Sequence, residues 1–225
     1  MVTAPAARVR ITAGSGDVYV VGETRDDIDV DGADVEMAGL ETEVRGGSDD
    51  FTVRVPTGTD VVVGSASGDV SLDGPLGAVS VTTESADIRA EEVASIDART
   101  ASGKLTVDLS HGPVRLKTKS ARIDVGRIEG DARIAAVSGR ISIADAHGRV
   151  SVKTVSGDIG VVVTGRAEVR VETISGTIKV AVPDGVKPAV RHRSVSGRSR
   201  VEPAAGDDVE ITARSVSGDI TVGVA

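Results

Sequence analysis

The sequence predicts an all-β fold, a single-chain β-solenoid, from three observations. A short phrase of the form Ser-x-Ser-Gly-Asp recurs about every 18 residues over the last three quarters of the chain. Apolar and polar residues alternate after each copy, which is the pattern of a strand with one buried face. The apolar residues are almost all Val, Ile, Leu and Ala, with one Tyr and one Phe in 225 residues, and they suit narrow, uniform layers.

The repeated phrase marks the corners of successive coils. Its clearest copies cover residues 65–70, 154–159 and 215–220. Weaker copies centre on Ala86, Gly103, Ala121, Gly139, Gly176 and Gly197. Because Gly accepts positive φ at little cost, the Ser-Gly step predicts a corner. A unit this short buries its apolar face only by stacking on its neighbours, so near-constant spacing predicts a solenoid.

Two short strands are predicted in each coil, one directly after the Gly and one about nine residues later. The first strand places one apolar residue per coil in a single column, with about 4.8 Å between neighbours. That column contains Val70, Ile88, Leu105, Ile123, Ile141 and Ile159. The alternation also puts His192 and Ser199 at inward positions, so the coil that contains them should interrupt the regular core, as a local opening, a partner contact or a buried polar pair.

Residues 1–63 form a less regular set of predicted strands. We interpret them as an N-terminal β cap, continuous with the repeats of residues 64–225 in one structural domain. A cap would shield edge strands from pairing with other chains. Residues 1–63 contain 13 acidic and 5 basic side chains, whereas residues 64–225 contain 21 of each. The acidic end and the shortage of aromatic side chains for base stacking both argue against nucleic acid as a partner.

Composition and segment length set further expectations. The chain has no Cys, so disulfides and thiolate metal sites are excluded. The first residues lack a basic segment followed by an apolar run, and no apolar stretch reaches the roughly 20 residues of a transmembrane helix. We therefore expect a cytoplasmic chain without an integral membrane segment.

The step Val55-Pro56-Thr57-Gly58, followed by serial Ser-Gly-Asp-Ile and Ser-Gly-Asp-Val copies, resembles the DUF4097 family of adhesin-like proteins, also called the Toastrack domain. The resemblance covers essentially the whole chain. It implies a β-solenoid, usually taken as right-handed. Relatives are associated with bacterial envelope-stress modules and are regarded as interaction or assembly platforms. The family offers no catalytic residues that could be carried over to this chain.

A row of basic residues at outward positions of the second strand is the first candidate site. It consists of Arg99, Arg115, Lys117, Arg133, Lys153, Arg170, Arg191 and Arg193. Such a row could bind an acidic protein, an anionic polymer or an anionic membrane surface. The alternative is a solvated face that neighbouring Asp and Glu residues balance.

Two corner features are further candidates. His111, Glu129 and His147 are 18 residues apart, so one corner could bring them close enough to share a metal ion. Ordinary exposed polar corners are the alternative. The Asp that follows the corner Gly alternates with Arg and Lys from coil to coil. This pattern disfavours calcium binding and indicates an exposed charge ladder, with pairs such as Asp87–Lys104 and Arg140–Asp158.

The sequence favours a non-enzymatic interaction scaffold that binds protein, and the family resemblance implies a link to envelope-stress signalling. Three scattered His residues and the lack of a Gly-rich phosphate loop offer no catalytic set and no cofactor site. Head-to-tail self-assembly is one alternative. It would join the acidic residues Asp26, Asp27, Asp29, Asp31, Asp34 and Glu36 to the basic residues Lys187, Arg191, Arg193, Arg198 and Arg200. An adhesin that binds surface glycans is another, although the chain lacks the usual aromatic platforms.

Overall fold

The computed structural model describes residues 8–38, 41–165 and 167–225, and these residues form strands and turns without a helix. The predicted all-β solenoid class is confirmed. The chain divides into two compact units, residues 1–112 and residues 113–225, which we call unit 1 and unit 2. The predicted boundary at residue 63, the predicted right-handedness and the single-domain organisation stay predictions.

The described part of unit 1 contains nine strands, most of them in parallel pairs. Their bounds are β1 Arg8–Ala13, β2 Val18–Glu23, β3 Asp29–Asp31, β4 Asp34–Ala38, β5 Glu41–Arg45, β6 Phe51–Pro56, β7 Asp60–Ser65, β8 Val70–Thr83 and β9 Ile88–Ser110. Strand β8 turns a corner, because residues 70–73 pair with β2 and residues 79–83 pair with β7. Gly74 lies at that corner with a φ of 75°.

The coils of unit 1 do not stack in chain order at their N-terminal end. Strand β1 lies between β5 and β7, and β2 lies between β6 and β8. The coil of β5 and β6 is therefore the outer one, although it follows β1 and β2 in the sequence. Strands β3 and β4 pair antiparallel with β6 and β5 and cover the outer edge of that coil.

Unit 2 has eleven strands in the region that the structure describes. Their bounds are β10 Val114–Ile128, β11 Ala132–Ser138, β12 Ile141–Ala146, β13 Val150–Ser156, β14 Ile159–Val163, β15 Glu168–Ser175, β16 Ile178–Val182, β17 Pro188–Ser196, β18 Ser199–Val201, β19 Val209–Ser217 and β20 Ile220–Val224. The pairs are parallel, and most partners in successive coils are 18 or 19 residues apart, as from Val114 to Ala132 and from Ala132 to Val150.

The last coils of unit 2 also depart from chain order. Strand β19 pairs with β15 on one side and with β17 on the other, and β20 lies between β16 and β18. The C-terminal coil is thus inserted inside the stack. The chain-order expectation was wrong here, because sequence spacing does not distinguish an inserted coil from an added one.

The inserted coil explains why the predicted inward residues are exposed. His192 is in register with buried Ala213, and Ser199 is in register with buried Ile220. Both His192 and Ser199 are nevertheless exposed, because their strands form the outermost coil of unit 2. The regular core is therefore not interrupted at this coil, which instead forms the end of the stack.

The core of each unit consists of columns of aliphatic side chains. In unit 2 one column joins residues that are each at most 1% exposed: Ile123, Ile141, Ile159, Ile178 and Ile220. Burial of a side chain of this size contributes about 1.5–3 kcal/mol to stability. Outward residues between the buried ones remain free of this packing requirement.

Candidate interaction surface

The corner aspartates of unit 1 bind backbone groups of the neighbouring coil. Oδ1 of Asp50 accepts a hydrogen bond from the N–H of Asp17, and Oδ1 of Asp17 accepts one from the N–H of Asp69, both at 2.8 Å. Asp69 and Asp87 continue the series, accepting the N–H groups of Asp87 and Lys104 at 2.8 and 2.7 Å. We call Asp50, Asp17, Asp69 and Asp87 the aspartate ladder. It satisfies backbone donors that a corner leaves without a strand partner.

Unit 2 uses the same device at the Ser-Gly corner. Oδ1 of Asp158 accepts the N–H of Thr177 at 3.0 Å, and Oδ1 of Asp219 accepts the N–H of Arg198 at 2.9 Å. The bond from the Arg198 N–H, aided by the nearby Arg198 guanidinium, lowers the pKa of Asp219. The sequence interpretation as an exposed charge ladder missed this backbone role, which explains why Asp recurs after the corner Gly.

Close approach of the coils explains the corner Gly itself. Gly139 and Gly157 have φ angles of 122° and 157°, a backbone conformation that residues with a Cβ rarely adopt. A Cβ at Gly139 would collide with the carbonyl oxygen of Ala121, and one at Gly157 would collide with that of Gly139. The phrase Ser-Gly-Asp therefore combines a residue that fits the corner with one that ties it to the next coil.

The predicted basic row occupies two outward columns in unit 2. The first column runs through Arg115, Arg133, Ser151, Arg170, Thr212 and Arg191, and the second through Lys117, Ala135, Lys153, Glu172, Arg214 and Arg193. Arg99 lies in unit 1, where its guanidinium is 3.1 Å from Oδ2 of Asp97. Neutral residues interrupt both columns, and an acidic residue also interrupts the second, so the row is divided into clusters.

Three cations at the start of these columns form the cluster that we call the basic patch: Arg115, Lys117 and Arg133. Arg115 and Arg133 are direct neighbours on adjacent strands. Two like charges in this position repel each other and destabilise the strand pair. None of the three has a carboxylate within ion-pair distance among the residues that the structure describes. Arg115 and Arg133 also line a small hollow of about 110 Å³ together with Asp131 and Arg149.

Further along the columns, carboxylates accompany the cations. Oε1 of Glu172 lies 2.7 Å from Arg170, and its Oε2 lies 3.1 Å from Lys153. Arg214 approaches the same carboxylate at 3.8 Å. The hydrogen bonds from Arg170, and then those from Lys153, lower the pKa of Glu172 and outweigh the opposing effect of its partial burial. One carboxylate is thus shared by three cations, which leaves a local excess of positive charge.

A column of exposed aliphatic side chains lies on the same face, two residues beyond the second basic column. We call it the aliphatic ladder, and in spatial order it consists of Val137, Val155, Ile174, Val216 and Val195. These side chains are between 45% and 71% exposed. The sequence interpretation missed the ladder. Its signal is present, because the ladder residue directly precedes the Ser-Gly step of the repeated phrase and is Val or Ile in five copies.

The proposed metal ligands are divided between the two units. His111 lies in unit 1, where its Nε2 is 3.0 Å from Oε1 of Glu92. In unit 2, Nε2 of His147 is 3.1 Å from Oδ1 of Asp145, and Glu129 lies 3.6 Å from Arg127. Across the described residues, no group of three or more His, Cys, Asp or Glu side chains is placed to hold a metal ion. The three-residue metal site stays a prediction.

Asp145 has the most crowded surroundings of these polar corners. Its partial burial raises the pKa of the carboxyl group, but the hydrogen bonds from Thr164 and His147 and the nearby Arg127 prevail and lower it. The arrangement is a network of mutually paired side chains.

The two charged ends proposed for self-assembly carry many internal ion pairs. In unit 1, Asp27 pairs with Arg25 and Asp29 pairs with Arg54. In unit 2, Arg191 pairs with Glu210 at 3.0 Å, and Arg198 with Asp219 at 3.4 Å. Internal pairing reduces the charge that either end offers to a second copy.

Comparison with known proteins identifies the family. The family model described as Toastrack DUF4097 matches residues 23–223. The chain belongs to the Toastrack DUF4097 family. Toastrack membership suggests a non-catalytic interaction role. A comparison with curated proteins gives no match.

A solved structure from Clostridium sporogenes, a candidate cell adhesion protein, aligns with this Toastrack chain at 10% identity and a TM-score of 0.23. The alignment covers 100% of this chain and 97% of that one. We draw no argument from a TM-score this low. In the part of the Toastrack chain that is described, no helix has the length and apolar character needed to cross a membrane.

Proposed function

We propose that the chain is a non-enzymatic interaction scaffold that binds an acidic protein partner through the basic patch of unit 2. The observation that carries the proposal is the placement of Arg115, Lys117 and Arg133. Three cations share one exposed face without a carboxylate partner among the described residues, and two of them are direct cross-strand neighbours. Like charges so placed cost stability, and a bound acidic surface would recover that cost.

Toastrack membership supports the scaffold role, since the family suggests interaction and not catalysis. The association of relatives with bacterial envelope-stress modules supports placing the partner in envelope-stress signalling, and this placement belongs to the proposal. The cytoplasmic location stays a prediction.

Affinity capture with a charge-reversed control tests the proposal. The full chain and the variant Arg115→Glu/Lys117→Glu/Arg133→Glu are immobilised at equal density and exposed to lysate of the source cell. We expect the wild type to retain proteins at about 0.1 M salt that the variant does not retain at the same salt. The wild type should also lose these proteins at about 0.5 M salt, because salt screening shortens the range of charge attraction. Retention of the same proteins by the variant would refute the basic patch as the binding site.

Head-to-tail assembly is the second candidate function, and an uncovered strand edge favours it. Strand β17 pairs with β19 on one side, and among the described residues no strand pairs with its other side. Such an edge can accept a strand from another chain. Light scattering at low salt and high protein concentration tests this function, and a mass that stays monomeric would exclude it.

A further inference from the structure

The aliphatic ladder is a contiguous apolar stripe on an otherwise polar face. Single exposed aliphatic residues are ordinary, whereas a contiguous row of them marks a binding surface. Its five residues occupy five successive coils of unit 2. The equivalent positions of unit 1 hold Ala66, Glu84 and Ala101. The solenoid therefore does not require Val or Ile at this position.

The spacing of the ladder matches one kind of protein segment better than another. Adjacent strands are about 4.8 Å apart, so five residues span about 19 Å. An α-helix with apolar residues at alternating i+3 and i+4 steps covers the same four intervals in about 21 Å. Alternate residues of an extended strand need about 27 Å. A helix stays in step with the ladder, and a strand does not.

The charges beside the ladder indicate the flank of that helix. A groove of about 370 Å³ lies between the second basic column and the ladder, lined by Lys153, Glu172, Ile174, Arg214 and Val216. Glu172 is shared by Arg170, Lys153 and Arg214, so the groove carries more positive than negative charge. Acidic side chains on the partner would complement it.

A second copy of this chain fits the groove less well. Antiparallel packing of two ladders about Ile174 would put Lys153 opposite Arg214 and would bring two Glu172 side chains together. Like charges at a close interface oppose association. The charge pattern favours an unlike, acidic partner.

We propose that the aliphatic ladder and its groove bind an amphipathic α-helix of a partner protein, with the helix's aliphatic stripe on Val155, Ile174 and Val216 and its acidic flank toward Lys153 and Arg214. This inference deepens the proposed function and rests on it, since it names the kind of segment that the protein-binding face takes. Its residues are different from those of the basic patch.

A labelled synthetic helix tests the inference by fluorescence anisotropy. The probe is an 18-residue helical peptide with Leu at alternating i+3 and i+4 steps and Glu along one flank. A second peptide has Lys in place of each Glu. The full chain should bind the acidic peptide saturably and at least about tenfold more tightly than the basic one. Absence of saturable binding below about 1 mM, or equal affinity for both peptides, would overturn the inference.

Matched protein variants locate the site. The variant Val155→Thr/Ile174→Thr/Val216→Thr should weaken binding of the acidic peptide at least about tenfold, because it removes apolar contact area. The variant Val35→Thr/Val201→Thr/Val224→Thr changes three exposed aliphatic residues outside the ladder and should bind within about twofold of the wild type. Equal loss of peptide affinity in both variants would overturn the ladder as the site. A dimer of the chain that forms without peptide and is lost in the ladder variant would also overturn the inference.

The two proposals can fail separately. If the peptide does not bind but the charge-reversed basic patch still abolishes affinity capture, the helix inference fails and the proposed function stands. If the peptide binds through the ladder and the charge-reversed patch has no effect on capture, the basic patch fails as the primary site.

Discussion

Unit 1 and unit 2 share a corner but place different side chains beside it. In unit 1 the variable position of the repeated phrase holds Ala66, Glu84 and Ala101, and the aspartate ladder runs along the corner. In unit 2 the same position holds Lys119 in the first coil and the aliphatic ladder in the next five, bordered by two interrupted basic columns. The inward columns are alike because packing constrains them. The outward columns differ, and the proposed binding face of unit 2 rests on this difference.

The ends of the two units differ in a related way. Each unit inserts one coil inside its stack, so that a different coil becomes the outer one. In unit 1 the antiparallel strands β3 and β4 cover the outer coil. In unit 2 the outer coil contains Arg191, Arg193 and Arg198 at exposed positions. Charged side chains are a second way to keep an edge strand from pairing indiscriminately.

The largest expected effect separates inward from outward positions. Ile141→Ala should lower the free energy of unfolding by about 2–5 kcal/mol, because a fully buried side chain leaves a cavity between its column neighbours. Val155→Ala, on the aliphatic ladder, should change it by less than about 0.5 kcal/mol. Urea unfolding followed by circular dichroism measures both. Comparable losses would contradict the assignment of Val155 to an exposed column.

A smaller effect is expected at the aspartate ladder. Asp69→Ala removes the acceptor for the N–H of Asp87 and should cost about 0.5–1.5 kcal/mol. Asp69→Asn keeps an acceptor oxygen and should retain most of the stability. Urea midpoints of the two variants measure the difference. An Asn variant as unstable as the Ala variant would show that charge, and not the hydrogen bond, is what the corner requires.

The pH dependence of unit 2 should reflect Glu172. Its cation partners lower its pKa below the ordinary value of 4.5, so the ionised side chain stabilises the fold above that pH. The contribution is lost as the pH falls through the lowered pKa. The free energy of unfolding of the wild type, from urea titration, should therefore exceed that of Glu172→Gln at pH 7 by less than about 1 kcal/mol, and the difference should vanish at strongly acidic pH. A difference that grows on acidification would contradict this sign.

The smallest effect should come from an exposed ion pair. Arg149 lies 2.8 Å from Glu168, but both side chains are about half exposed or more. Arg149→Gln should change the free energy of unfolding by less than about 0.5 kcal/mol, because solvent screens such pairs. Thermal unfolding of the wild type, Arg149→Gln, Glu168→Gln and the double variant gives the coupling free energy between the two side chains. A coupling above about 1 kcal/mol would show that outward pairs stabilise unit 2 more than their exposure indicates.

Sequence periodicity predicts what packing controls. The alternation in copies such as residues 154–163 correctly indicates strands with one buried face, and the corner Gly indicates the turns. Periodicity does not indicate coil order, because an inserted coil such as β19–β20 has the same inward pattern as an added one. It also leaves the outward pairs undetermined, so Glu172 could not be assigned to Arg170 and Lys153 from spacing alone.

The aliphatic ladder was detectable but was not recognised. Val137, Val155 and Ile174 lie at the variable position of the repeated phrase, directly before the Ser-Gly step that indicates a corner. These residues are apolar at outward positions, where the other coils of the repeat have mostly polar residues or Ala. Its contiguity depends on the coil order, since Val216 lies between Ile174 and Val195.

Engineered disulfides test the coil order on which the face of unit 2 depends. The chain has no Cys, so paired cysteines can be introduced without competing thiols. Neighbouring coils are about 4.8 Å apart, within reach of a disulfide, whereas the next coil but one lies beyond the roughly 7 Å limit. Oxidation of Ile174→Cys/Val216→Cys should give an intramolecular disulfide, and oxidation of Ile174→Cys/Val195→Cys should not. Cross-linking of 174 with 195 and not with 216, read by intact mass, would contradict the inserted coil and the continuous ladder built on it.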